Sequence, residues 1–136
     1  MSQIKIPNPK SQTNSNYQNI KHMEYDLEER TEQFARDIRK FVKTLPRTIS
    51  NIRDVDQLVR SSGSQAANYI EANESLSKKD FLHRMKICRK EAKESRLWLR
   101  LINTGNNQPI DKQRDLLIQE AEELLKIFGT IIEKSK

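Results

Sequence analysis

The chain of 136 residues has one cysteine, three glycines and four prolines. A single thiol cannot close an internal disulfide and has no metal-ligand spacing around it, so a reducing cytoplasm is the expected compartment. So few glycines and prolines cannot supply the turns that a sandwich or barrel of many short strands needs. No run of about 18 uncharged apolar residues exists, which excludes a transmembrane helix on sequence grounds and predicts no membrane partner. The first 25 residues lack the apolar stretch of a secretory signal. Gly-rich phosphate loops, zinc-ligand spacings and Ser/His/Asp constellations are all missing. A di-iron bundle would need repeated Glu-x-x-His pairs on facing helices, whereas Asp80-x-x-His83 occurs once. The expectation is a protein without catalysis, metal or cofactor.

What is present is charge. Charged residues make up 32% of the chain and apolar ones only 35%, against a usual ~45–50% apolar. That balance fits long helices with wide solvated faces. The length is that of one domain. The net charge of +6 is unevenly spread. Residues 1–23 carry Lys5, Lys10 and Lys21 and no acid, while residues 78–110 carry nine bases against Asp80, Glu91 and Glu94. Each of the other segments is slightly acidic, so the surplus sits in one segment and a leading tail.

Residues 1–23 are rich in Asn, Gln, Ser and Pro and read as a flexible or extended N-terminal arm, with residues 24–136 forming the folded unit. From Asp26, a candidate N-cap, Leu27, Thr31, Phe34, Ile38, Phe41 and Leu45 recur at four- and three-residue steps until Pro46 ends the helix. A second helix is predicted from about Thr48 to Glu74, with Ile52, Val55, Val59, Ser62, Ala66, Ile70 and Asn73 inward. The small residues of its Ser61-Ser62-Gly63-Ser64 stretch would let a neighbouring helix approach closely. Ser77 and Asp80 resemble a capping box opening a third helix that runs to about Asn103. Its inward stripe is Phe81, Met85, Cys88, Ala92, Ser95, Leu99 and Ile102, which makes Cys88 a small buried hydrophobe. After the loop at 103–109, a fourth helix runs from about Asp111 to Lys134, with Leu117, Ala121, Leu124, Phe128 and Ile131 inward. Four such helices joined by short loops predict an all-α, up-down-up-down antiparallel four-helix bundle.

Apolar residues outside these stripes predict self-association. They are Ile87, Leu97, Trp98 and Leu101 on the third helix, Leu116, Ile118, Leu125, Ile127 and Ile132 on the fourth, and Leu58, Tyr69 and Leu76 on the second.

The third helix also carries Lys79, His83, Lys86, Lys90, Lys93, Leu97 and Arg100 at alternating four- and three-residue steps, with Arg89 and Arg96 flanking. Like charges at this spacing cost a helix a few tenths of a kcal/mol per pair. Such a ridge is sustained by an anionic partner or by acids of another helix. RNA or DNA phosphates would supply the first, and Lys79, Lys86, Arg89, Lys90, Lys93 and Arg100 are then the candidate nucleic-acid-binding residues. The ridge has neither recognition-helix geometry nor an aromatic stacking platform, so binding would be non-specific. The alternative is a protein-interaction adaptor whose ridge meets acidic protein surfaces.

The stretches Tyr25-Asp26-Leu27-Glu28-Glu29-Arg30-Thr31, Gln57-Leu58-Val59-Arg60-Ser61-Ser62-Gly63-Ser64, Ala67-Asn68-Tyr69-Ile70-Glu71-Ala72, Ser77-Lys78-Lys79-Asp80-Phe81 and Lys90–Arg100 resemble a four-helix-bundle protein family. That family includes proteins encoded in ribosomal RNA intervening sequences and the accessory variability determinants of diversity-generating retroelements. The resemblance covers about residues 25–102 and implies a bacterial cytoplasmic protein forming a barrel-like homopentamer. In the retroelement members it implies a basic barrel that binds nucleic acid and partners a reverse transcriptase, here possible only as an accessory role set by genes encoded nearby. No active site carries over. The signature positions Arg60, Asn68, Glu71, Glu91 and Arg96 read as structural, with Arg60 expected to pair with Glu91 or Glu94 across two helices.

Overall fold

The computed structural model describes the backbone of residues 15–136 and the side chains from Leu27 onward. Four helices follow one another: α1 (Ser15–Val42), α2 (Ile49–Asn73), α3 (Lys78–Leu101) and α4 (Gln108–Lys134). Among the described residues all regular structure is helical. Each helix packs on its chain neighbours, and α1 closes the ring against α4 through the thinnest seam. Cross-helix partners run in opposite order, with Ser61 meeting Ser95 and Asn68 meeting Arg84, so α2 and α3 are antiparallel. This is the expected up-down-up-down bundle.

Three of the helix starts are explained by single side chains. Thr48 Oγ1 accepts from the Asn51 amide at 3.1 Å, Ser77 Oγ from Asp80 at 3.1 Å, and Asn107 Oδ1 from Ile110 at 3.1 Å. Each satisfies one amide that the first turn leaves without an intrahelical partner. Pro109, whose missing N–H costs nothing there, lets α4 begin three residues before Asp111. Gly105 (φ 71°) and Asn106 (φ 59°) take left-handed backbone in the α3–α4 turn, which residues with short or no side chains tolerate. α1 begins at Ser15, so Asp26 lies inside it and does not cap it. Of the arm assigned to residues 1–23, residues 1–14 lie outside the described part.

The inward stripes of α1, α3 and α4 are buried as expected. Of that of α2, Ser62 and Asn73 alone are. Ile52 and Ile70 are about half exposed, and Val55, Val59 and Ala66 are only half-buried. Beside Ser62 and Asn73, the buried face holds Asn51, Leu58, Ser61, Gln65, Tyr69 and Ala72. Polar seams on both sides of this face decide its register. Gln65 Nε2 donates to Ser95 Oγ at 3.0 Å, Ser61 and Ser95 share a hydrogen bond at 2.9 Å, and Cys88 Sγ donates to the Gln65 carbonyl. At the lower end, the Asn51 amide donates to Pro46 O and Asn103 O, both at 2.8 Å, and accepts from Asn103 N at 2.9 Å. One buried side chain thereby ties the α1–α2 and α3–α4 loops together.

The remaining apolar surplus also divides. Leu58, Tyr69 and Ile132 belong to the core, and Trp98, Ile118, Leu125 and Ile127 pack half-buried against it. The apolar arc of α4 is therefore mainly a wide core-facing stripe. Leu97, Leu101, Leu116 and Leu76 stay exposed, together with Ile49, Ile52 and Ile70.

Candidate nucleic-acid interface

The core of α3 lies along Phe81, Met85, Cys88, Ala92, Ser95 and Leu99, and the helical period of 3.6 puts the basic ridge on the opposite face. Lys79, His83, Lys86, Lys90, Lys93, Leu97 and Arg100 are all solvent-exposed. At 1.5 Å per residue the row from Lys79 to Arg100 is about 31 Å long. Arg89 and Arg96 are half-buried on the flank that faces α4. Lys79, Lys86, Lys90, Lys93 and Arg100 thus share one exposed helix face, with Arg89 on its flank.

Among the described residues, acids of other helices form ion pairs with this row at one end. Glu122 of α4 accepts from Arg96 Nη1 and from Arg100 Nη2, each at 3.5 Å and both on the same Oε2. Among the described residues Lys79, Lys86, Lys90 and Lys93 have no carboxylate within 4.0 Å. Arg89 lies near enough to Glu133 to help lower its pKa, although hydrogen bonding from Lys136 is the larger cause.

The inner flanks of α3 are occupied differently. Arg60 Nη1 and Nη2 reach Glu91 at 3.1 and 3.4 Å, and Nη2 also reaches Glu94 at 3.0 Å. Both expected partners are used. Ser64 Oγ adds a third hydrogen bond to Glu91 at 3.0 Å, and Arg84 Nη1 donates to Asn68 Oδ1 at 3.0 Å. Arg60, Asn68 and Glu91 therefore lock α2 to α3. Burial pushes the Cys88 thiol up to about 12, so it is a packing residue and a poor nucleophile.

Among the described residues no group of three His, Cys, Asp or Glu side chains converges to hold a metal ion. No described helix is long and apolar enough to cross a membrane. A groove of about 340 Å³ between α1 and α4 is lined by Asp37, Lys40, Phe41, Thr44, Pro109, Ile110 and Gln113. It has no α3 residue and is separate from the ridge. The pairing of Arg96 and Arg100 with Glu122 is the one feature of the interface that the sequence pattern did not single out. Glu122 falls on the α3-facing flank of α4, but an acid at that position looks in sequence like any solvated glutamate.

No curated protein and no solved structure matches the chain. A family model does match, over residues 23–130, and with the four-helix architecture it places the chain in the 23S rRNA-intervening sequence protein family.

Proposed function

We propose that this protein is a non-catalytic scaffold that holds RNA or DNA by its phosphate backbone along α3, assembled from several copies of the chain. The observation that carries the reading is the lysine row Lys79, Lys86, Lys90 and Lys93, exposed on one face and unanswered by acids among the described residues. Mutual repulsion along such a row is relieved by phosphates, whose condensed counterions are released on binding. The family's name refers to an intervening sequence of 23S rRNA, which accords with a nucleic-acid setting. Assembly is supported by Ile49, Ile52 and Ile70 on α2 and by Leu97 and Leu101 on α3, all exposed. Five copies is the number that the family resemblance implies.

The test is a set of alanine variants at Lys86, Lys90, Lys93 and Arg100, assayed for melting and for retention of single- and double-stranded RNA and DNA. Each lysine variant should weaken binding about equally across sequences and lower the salt slope by about one unit. Melting should stay unchanged or rise slightly. Arg100→Ala should cost less binding than the lysine variants, because Arg100 is already engaged by Glu122. Unchanged affinity in all four variants would overturn the reading and favour an adaptor whose ridge meets an acidic protein surface.

A further inference from the structure

We infer that Glu122 is a built-in counter-ion that sets the working length of the phosphate-binding ridge by holding Arg96 and Arg100 out of it. This rests on the reading of the ridge as a phosphate-binding surface and deepens it. A single carboxylate oxygen serves both guanidiniums, and both contacts are 3.5 Å. Charge-assisted N–H···O bonds ordinarily close to about 2.7–2.9 Å. The two arginines are therefore shared and loosely held, with one negative charge set against two positive ones. Arg96 has a quarter of its side chain exposed and Arg100 about half, while Glu122 is 39% exposed. All three lie where an incoming phosphate could reach them.

The ridge thus has two parts. From Lys79 to Lys93 it presents ammonium groups with no carboxylate partner among the described residues. From Arg96 to Arg100 it presents guanidiniums, the groups best shaped for bidentate phosphate contact, with a carboxylate already in place. Arg96 points toward α4 and would otherwise read as a structural residue, yet the geometry assigns it to the same surface. A phosphate approaching this end must displace Glu122 or settle for the residual charge. Glu122 limits how tightly and how far along α3 a polyanion is held, and so keeps a non-specific binder releasable.

The experiment compares Glu122→Gln with Glu123→Gln in the full chain. Both changes remove one negative charge from α4, but Glu123 sits on the opposite flank, where it accepts from Arg30 of α1 at 3.3 Å. Affinity for a 20-base-pair DNA duplex of arbitrary sequence is measured by fluorescence anisotropy across a salt series. Glu122→Gln should steepen the dependence of log K on log salt by about one to two units, one for each arginine released. That corresponds to roughly tenfold or more tighter binding at 50 mM salt. Adding Arg96→Ala and Arg100→Ala to Glu122→Gln should abolish the gain, bringing the slope back to the wild-type value or up to about one unit below it. Glu123→Gln should leave the slope unchanged. Melting curves check that each variant is folded, and Glu122→Ala gives a second version of the same test. Equal behaviour of the two glutamine variants overturns the inference while leaving the ridge reading in place. A wild-type protein with no salt-dependent affinity for the duplex, nor for single-stranded DNA or single- or double-stranded RNA, removes both.

Discussion

Removing Arg60 should destabilise the bundle more than removing its partner does, and a second mutation should rescue the first. The Glu91 side chain is 6% exposed and accepts three hydrogen bonds, two from Arg60 and one from Ser64. The same pairing raises the Arg60 pKa, with hydrogen bonding to Glu91 the largest cause. Arg60→Ala leaves that carboxylate under the α2–α3 seam with only a hydroxyl for company. Stripping one partner from a fully buried pair costs about 3–5 kcal/mol. Arg60 is itself half in water, and solvent replacing the guanidinium will reach part of Glu91, so about 2 kcal/mol is the expected loss. Glu91→Gln keeps the shape and the Ser64 contact, and leaves Arg60 with Glu94 at 3.0 Å, so about 1 kcal/mol is expected from the lost charge-assisted bonds. In the double variant no buried charge is left unpaired. It should be more stable than Arg60→Ala alone, by roughly 0.5–1 kcal/mol, with a coupling energy typical of residues in contact. Urea titrations followed by circular dichroism measure all three differences. Protein concentration must be held fixed, because any self-association adds to apparent stability. A double variant less stable than Arg60→Ala would show that Glu91 is not isolated as its burial indicates, and the reasoning would fail.

Further outcomes follow from the same seam. Gln65 is fully buried, and its Oε1 has no hydrogen-bond partner although Nε2 donates to Ser95. Gln65→Met, close in volume, should be neutral or stabilising by up to about 1 kcal/mol, since an orphaned buried acceptor costs about as much as the bond it shares a side chain with contributes. Ser95→Ala, which strands Nε2 as well, should instead destabilise by about 1–3 kcal/mol in the same urea titrations. Cys88 should resist iodoacetamide at pH 8 in the native protein and react once unfolded. Because its folded pKa, about 12, lies above the 9.0 of the free thiol, its contribution to stability is complete below pH 9 and is lost as pH rises from 9 toward 12. Cys88→Ala should flatten that alkaline decline.

How far the sequence was legible depended on what each helix uses to recognise its neighbours. On α1, α3 and α4 the recognising groups are apolar, so Phe34, Ile38, Met85, Leu99, Leu124 and Phe128 mark the buried face by their spacing alone. On α2 the stronger apolar period, Ile52 to Ile70, lies on the flank toward α1 and remains half exposed. Beyond Ser62 and Asn73, the interior face mixes Leu58 and Tyr69 with Asn51, Ser61 and Gln65. A hydrophobic pattern cannot find such a face, because the value of a buried Gln or Asn lies in partners on other elements, here Ser95, Pro46 and Asn103. The small side chains of Ser61 and Ser62 did signal the close α2–α3 approach that makes those partners reachable. The lysine row was legible for the opposite reason: it has no acid partner among the described residues, so the periodicity of Lys79, Lys86, Lys90 and Lys93 on one helix marks it. Where an internal partner intervenes, at Arg96 and Arg100, one-dimensional pattern again runs out. The acid that meets them is twenty-two residues from Arg100, brought alongside only by the antiparallel return of α4. The proposed binding surface is therefore readable in sequence where the described residues leave it unpaired, and the antiparallel return of α4 brings Glu122 to its paired end.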